Sequence, residues 1–508
     1  MRKAFGGMIL GEMIDRIWEA TMKYIDSVPK SKRKKYGQFF TSKETAAFMA
    51  GLFSIPEGRT SLNILDPGAG SGILSVALLE RLESNAEIDT IELVCYENDS
   101  DILGLLRSNL EWACSLTTKN ISFRIVTDNY ILSQTLEYNH MLGANQDTDK
   151  FDMVIGNPPY IKIAKDAPEA TAIPDVCYGA PNLYFLFATM SMFNLKENGE
   201  MVYIIPRSWT SGAYFKQFRK HFFKECVLEH IHLFVSRNRV FEKESVLQET
   251  IIIKAKKILK DQKEPKSIIL TTSQGNADFS NRTIFEAPYS TVINEKDLYI
   301  YLATNTQEVQ VLDRLNRWTD TLPDIGLKMR TGVTVPFRNR KALCDSAKDN
   351  AIPLFCLQHI HDGKIMFPVG KEHEYIVTAR KGLLQKNTNY LFIKRLATKE
   401  ADRCLQCGVY LARNYPKYAE ISTQNNINFI CGDQELSECI VYGLYVLFNS
   451  TLYDRYYRIL NGTTQVSSIE VNSMPVPPIS IIESMGKELI CINNMSTQAC
   501  DEILENYI

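Results

Sequence analysis

Two hydrophobic rhythms alternate along the first half of the chain. Short aliphatic runs occur at Leu62 to Leu65, Ile91 to Tyr96, Ile121 to Val126, Phe151 to Ile155, Met201 to Ile205 and Val246 to Ile253. Runs of this length and composition suit strands, and the most apolar of them suit strands buried on both faces. Between them lie longer stretches with apolar residues three and four apart, which predict helices. These cover residues 8 to 27, the segment holding Ala46, Phe48, Met49 and Leu52, the stretch from Gly72 through Leu82, and Asn182 to Leu195. Strand followed by helix, repeated, predicts an α/β domain around a largely parallel sheet.

The second half changes character. Short β-like runs alternate with polar turns, which predicts a mixed α+β domain. A helix is predicted at Tyr453 to Leu460, an extended segment at Met474 to Pro478, and a closing helix over residues 481 to 508. Lys256 to Lys266 is charged, contains Pro265 and is the linker this pattern offers. The predicted boundaries are 1–35 for an N-terminal helix and basic arm, 36–260 for the α/β domain and 261–508 for the second domain.

A length of 508 residues exceeds one ordinary core and fits this division. No run approaches the roughly 18 apolar residues of a spanning helix, and no signal-peptide pattern opens the sequence. With twelve scattered cysteines, the expectation is a cytoplasmic protein with reduced thiols and no membrane partner. Cys404 and Cys407 form a Cys-x-x-Cys without the second pair a structural zinc needs, so no metal is expected. The net charge of −2 gives no global attraction to nucleic acid, so any basic footprint must be local. Candidates are Lys32, Arg33 and Lys34 in the run Lys30 to Lys35, Arg338 and Arg340 beside Phe337, and Lys394 and Arg395 after Phe392. Each cluster reads either as a solvated face or as a phosphate-contacting surface.

The turns carry the candidate chemistry. Asp66-Pro67-Gly68-Ala69-Gly70-Ser71-Gly72 sits between a strand and a helix, where glycines let backbone approach a ligand closely. The next strands end at Glu97 and at Asp128-Asn129-Tyr130, which places acids where parallel sheets bind ligands. Glu97 suits vicinal ribose hydroxyls, and Asp128 suits an exocyclic amine. The fourth strand breaks at Gly156 into Asn157-Pro158-Pro159-Tyr160. Two prolines stiffen that exit, so an amide, exposed carbonyls and an aromatic ring form a rigid shelf for a flat, hydrogen-bonding substrate. Tyr203 stands alone in an aliphatic run, and core packing accounts for it equally well.

In order, Gly37-Gln38-Phe39-Phe40-Thr41, Asp66 to Gly72, Tyr96-Glu97-Asn98-Asp99, Asp128-Asn129-Tyr130 and Asn157-Pro158-Pro159-Tyr160 resemble the γ-arrangement (TaqI-like) adenine-N6 DNA methyltransferases. The size and C-terminal half look most like the type II restriction-modification methyltransferases of the PstI and BsuBI kind. The motif match covers about residues 36 to 255. It implies a Rossmann-like catalytic domain that uses S-adenosylmethionine, followed by a target-recognition domain that binds double-stranded DNA. By resemblance, Phe39, Phe40 and Thr41 enclose the methionine end of the cofactor, with Asp66, Gly68 and Gly70 along it. Glu97 holds the ribose, and Asp128, Asn129 and Tyr130 hold the adenine. Asn157 and Pro158 accept from the target amino group, and Tyr160 and Tyr203 stack on the flipped base. The polar segment with Thr463, Thr464 and Gln465 resembles the end of such recognition domains. A restriction endonuclease with the same site is the implied counterpart, in a bacterial or archaeal cell, and a monomer suits methylation of one strand at a time.

Asn-Pro-Pro-Tyr also occurs in protein-glutamine methyltransferases, because an amide nitrogen is delocalised like an aromatic amine. Those glutamine enzymes are shorter and carry their extra domain before the cofactor motif, whereas here about half the chain follows it. An RNA-adenine methyltransferase and a catalytically inactive DNA-specificity protein are compatible with the same fold.

Overall fold

The computed structural model describes residues 11–29, 39–140, 150–235, 249–259, 265–348, 350–396, 402–461 and 465–508. The chain forms two compact units, Met1–Asn305 and Thr306–Ile508.

The first unit is built on a nine-stranded sheet. Its strands are β1 (Ser61–Pro67), β2 (Thr90–Tyr96), β3 (Asn120–Val126), β4 (Phe151–Gly156), β5 (Leu195–Pro206), β6 (Cys226–Phe234), β7 (Thr250–Lys257), β8 (Ser267–Ser273) and β9 (Thr283–Pro288). The order is β3-β2-β1-β4-β5-β7-β6-β8-β9. Strands β1 to β5 run parallel, and β7 is inserted antiparallel between β5 and β6. The chain winds outward from β1 to β3 and then crosses back to β4, so a crevice opens between the carboxyl ends of β1 and β4. Each predicted strand of this half lies on or within two residues of an observed one, except that the last begins, among described residues, at Thr250 and runs on to Lys257.

Helices α1 (Glu12–Ser27), α2 (Lys43–Gly51), α3 (Ile73–Glu83), α4 (Leu103–Leu116), α5 (Leu183–Asn194) and α6 (Lys216–Glu225) accompany the sheet. Helix α1 buries Met13, Ile14, Ile17, Thr21 and Ile25, the stripe its periodicity predicts. The Glu80 carboxylate accepts from the backbone N–H groups of Gly11 and Ile14, which puts negative charge at the positive end of α1. Ser42 caps α2 by accepting from Thr45 N at 3.3 Å, which leaves the Thr41 hydroxyl for another task.

The compact units divide at Asn305, later than the predicted 260/261 boundary. The cause is that β8 pairs parallel with β6, and β9 pairs antiparallel with β8, continuing the sheet past residue 260. Ile268 and Leu270 are buried there, although no helix precedes them to announce another strand. Lys256 and Lys257, read as linker, close β7 instead.

In the second unit, Leu327–Thr331, Ile427–Gly432, Tyr390–Lys394, Cys407–Tyr410, Gly363–Ile365 and Ile360–His361 form a six-stranded sheet in that order. A five-stranded sheet accompanies it. Phe355, Tyr390, Phe392, Tyr410 and Phe429 make the aromatic core beneath. Helices α7 (Thr306–Leu315), α8 (Glu438–Asn449), α9 (Thr451–Leu460), α10 (Ile479–Ile492) and α11 (Thr497–Glu505) complete the unit. The predicted extended segment at 474–478 pairs Pro475–Val476 antiparallel with Asp320–Thr321. The closing helix predicted over 481–508 is two helices, because Asn493 turns left-handed (φ 53°) and Ser496 starts a new cap on Ala499 N.

A Cys-His-Glu alignment in this unit is structural. Cys356 N donates to His359 Nδ1 at 2.9 Å, so the ring proton sits on Nε2 and points to Glu374 Oε1 at 2.9 Å. Glu374 also accepts from Val369 N and Gly370 N, while Cys356 is 1% exposed. Among the described residues, no helix is long and apolar enough to cross a membrane.

Candidate active site

The turn after β1 is shaped by glycines. Gly68, Gly70 and Gly72 have φ of 76°, 56° and 82°, a region other residues enter only at a cost. Gly68 N and Ala69 N donate to Tyr96 O at 2.8 and 2.9 Å, and Gly70 N donates to Glu97 Oε2 at 2.9 Å. The turn is thus laced to the end of β2. From the other side, Thr21 Oγ1 of α1, which donates to Ile17 O, is hydrogen-bonded with Ser71 Oγ at 2.8 Å.

Around this turn the structure brings Phe39, Phe40, Thr41, Gly68, Gly70, Glu97, Asp128, Asn129, Tyr130 and Asn157 together on one cavity of about 230 Å³. Glu97 has each carboxylate oxygen on one backbone N–H, Oε2 on Gly70 and Oε1 on Asp99 at 2.8 Å. A carboxylate oxygen accepts more than one hydrogen bond, so capacity remains for a ligand hydroxyl. Burial pushes its carboxyl above the usual range. The side chain of Asn129 is committed to the wall: Nδ2 donates to Glu169 Oε1 at 2.9 Å, and Oδ1 accepts from Ile131 N and Leu132 N. Tyr130 presents its ring edge-on to Tyr96 at 4.9 Å and anchors its hydroxyl on Asn194 Oδ1 at 2.8 Å.

Asp66 lies beneath the cavity rather than on its wall, fully buried. Ser75 Oγ donates to Oδ2 at 2.6 Å, whereas Oδ1 has no hydrogen-bond partner. Burial pushes this carboxyl up to about 7. The folded state therefore holds a proton that the unfolded chain releases near pH 3.8. Its contribution to stability, on the order of 4 kcal/mol, is complete below that pH and is lost as pH rises to about 7. Thermal unfolding of the ligand-free protein between pH 4 and 8 should show this fall, and Asp66→Asn should remove it. Parallel pH profiles for the two proteins would contradict the assignment.

At the end of β4, Asn157 Nδ2 donates to Phe39 O at 2.7 Å and to Thr41 Oγ1 at 3.0 Å. Both N–H groups are used, and the buried Oδ1 has no partner. Tyr160 donates its hydroxyl to Ile204 O at 2.9 Å, and its ring lies 5.3 Å from that of Phe39. The site thus pairs a cavity lined by carboxylates and aromatic rings with a buried amide oxygen that has no partner.

Residues 80–241 match the family model described as Eco57I restriction-modification methylase. The type II methyltransferase M.PstI of Providencia stuartii is 31% identical over 494 residues, with 94% of both chains covered. M.BsuBI of Bacillus subtilis is 30% identical over 492 residues, again with 94% of both covered. The chain belongs to this family of restriction-modification methylases. A solved structure of the type IIL restriction-modification enzyme MmeI in complex with DNA shares the fold, with a TM-score of 0.51 at 12% identity, covering 97% of this chain and 73% of that one.

In this methylase Tyr203 does not have the stacking position expected of it. It is 0% exposed, donates or accepts at Ser191 Oγ at 2.6 Å, and packs against Gly156, where an added Cβ would meet its ring at 2.6 Å. The alternation of β5 sends the ring into the layer shared with α5, where it packs as the core reading of this residue expects. Tyr203→Phe should therefore cost about 1 kcal/mol in unfolding free energy and leave turnover within about twofold of wild type. A large loss of turnover in the folded variant would restore the stacking role.

Of the expected DNA contacts, Arg338 and Arg340 are exposed on neighbouring short turns, Arg338 lying 5.4 Å over the Phe337 ring. Arg395 donates to Asn425 O at 3.0 Å and to Gln465 Oε1 at 3.4 Å, which brings two expected contacts together. Lys394 ends its strand beside them. Lys32, Arg33, Lys34, Thr463 and Thr464 lie outside the described residues. Sequence reasoning missed Ile161, Glu169 and Phe187, all of which line the cavity. Phe187 had a legible signal, one helical turn beyond Leu183 on the same face of α5. Glu169 had none, because it comes from a polar stretch without periodicity.

Proposed function

We propose that this methylase transfers a methyl group from S-adenosylmethionine to N6 of an adenine flipped out of double-stranded DNA, as the protective half of a restriction-modification system. The observation that carries this reading is the Asn157 amide, with both N–H groups spent on the protein and Oδ1 left as a buried acceptor. An aromatic amine is a weak nucleophile because its lone pair is delocalised into the ring. Acceptors on its two hydrogens, Asn157 Oδ1 and the Pro158 carbonyl, favour positive charge on that nitrogen as the new bond forms. Acceptors fixed in advance stabilise the transition state without reorganising. Tyr160, anchored on Ile204, is positioned to stack on the base beside Phe39.

The cavity residues fit the cofactor. Glu97 retains acceptor capacity for ribose hydroxyls, Asp128 offers a carboxylate for an exocyclic amine, and Asp66, whose Oδ1 has no partner, lies under the turn that would bracket the methionine end. When bound, S-adenosylmethionine supplies an activated methyl on a positively charged sulfur. What the chain adds is alignment and exclusion of water. An adenine paired in a duplex cannot reach Asn157, so the base must leave the stack, at a cost of a few kcal/mol. Arg338, Arg340, Lys394 and Arg395 are the described cations offered to the DNA backbone.

The test supplies the full chain with duplex DNA of mixed sequence and methyl-labelled S-adenosylmethionine. The expected product is N6-methyladenine at one short motif. Label only in C5-methylcytosine, in single-stranded RNA or in a protein amide would overturn the reading.

A further inference from the structure

We infer that Thr41 is a positioning residue for the catalytic amide: with the Phe39 carbonyl, its hydroxyl fixes Asn157 so that Oδ1 faces the substrate amino group. This rests on the proposed role of Asn157. A backbone carbonyl only accepts, so the atom of Asn157 that lies 2.7 Å from Phe39 O must be Nδ2. The second N–H of that nitrogen goes to Thr41 Oγ1 at 3.0 Å. Rotating the amide by half a turn would set Oδ1 against the Phe39 carbonyl, two acceptors in contact, and would aim N–H groups at the amine to be methylated. The Phe39 carbonyl therefore decides which way the amide faces, and the Thr41 hydroxyl, as the second partner of Nδ2, holds it in place before a substrate arrives.

Thr41 is suited to this task. It is 3% exposed, so solvent does not compete for its hydroxyl. Capping of α2 falls to Ser42, so the Thr41 oxygen is not drawn toward the helix. The same three residues, Phe39 to Thr41, form one wall of the cavity. One segment thus both touches the cofactor space and sets the acceptor.

Thr41→Val keeps the shape and removes the oxygen, and Thr41→Ser keeps the oxygen. Two measurements test the role. At saturating S-adenosylmethionine and duplex DNA, Thr41→Val should lower kcat on the order of 10- to 100-fold, as a misaligned reacting group does. Its Kd for S-adenosylhomocysteine should move less than about threefold, and Thr41→Ser should keep most of the rate. The second measurement needs no activity. In ligand-free protein, Thr41→Val should lower Tm by roughly 2–4 °C, but should have almost no effect in an Asn157→Leu background, where the bond is already gone. A rise in cofactor KM with unchanged kcat, or equal Tm losses in both backgrounds, would overturn the inference. A wild-type chain that methylates no adenine would instead overturn the proposed function, and the stability cycle would still decide whether Thr41 holds Asn157.

Discussion

Asn157→Ala is expected to lower methyl transfer by on the order of 10²–10³-fold or more, with cofactor binding largely kept. The size follows from the role proposed for the side chain. Oδ1 is a buried acceptor without a partner, and alanine leaves nothing in its place. The loss should fall on kcat, because the bond to the amine strengthens only as charge develops on nitrogen. Cofactor affinity should change little, since Asn157 contributes one edge of a cavity whose other walls stand without it. The change also releases Phe39 O and Thr41 Oγ1 from Nδ2, so a small loss of stability should accompany the large loss of rate. Single-turnover methylation alongside calorimetry of S-adenosylhomocysteine binding separates the two effects. Turnover within tenfold of wild type would show that the amine is activated elsewhere. Asn157→Asp is a sharper companion. It keeps an acceptor, but it sets a carboxylate against the Phe39 carbonyl, so it should lose the fixed orientation that Nδ2 gives the side chain.

The catalytic half was legible because its signals are local. A strand, three glycines forced to positive φ and a helix appear within Ser61 to Glu83, and the acids at Glu97 and Asp128 mark the ends of the next two strands. Local order also placed Asn157, because a strand broken by Gly-Asn-Pro-Pro has one exit. What the sequence concealed depends on which way a side chain faces. Tyr203 satisfies a motif, yet the pleat of β5 directs its hydroxyl to Ser191, which the Tyr130 hydroxyl also reaches. The hydrogen bonds that orient Asn157 span more than a hundred residues and leave no periodic trace. Strands β8 and β9 were hidden for a similar reason. Their place in the sheet comes from lateral pairing, β8 on β6 and β9 on β8, whereas the charged stretch before them looks like a boundary. In the second unit, strands of two to six residues give too short a window for alternation to be read.

Gly443→Ala and Gly486→Ala should each destabilise the second unit strongly, against the ordinary preference of helices for alanine. Both glycines lie inside helices, α8 and α10, where alanine is favoured by about 1 kcal/mol. Here the helices cross with their backbones in contact. A Cβ at Gly443 would stand 1.7 Å from Ile482 O, and one at Gly486 would stand 1.8 Å from Cys439 O. Neither neighbour is the tip of a flexible side chain, so the axes themselves must separate. Separation would loosen the packing around Leu444, Ile482, Met485 and Leu489, all of them buried. Overpacking of this kind commonly costs 1–3 kcal/mol, and backbone against Cβ places it at or above roughly 3 kcal/mol, well beyond the propensity gain. Unfolding of the second unit should then fall by about 6–12 °C for either variant. Cofactor binding should survive, because every residue lining that cavity belongs to the first unit. The double variant should cost less than the sum of the two, since one displacement relieves both clashes. If either alanine raised the melting temperature, the helices could not cross as closely as these glycines allow.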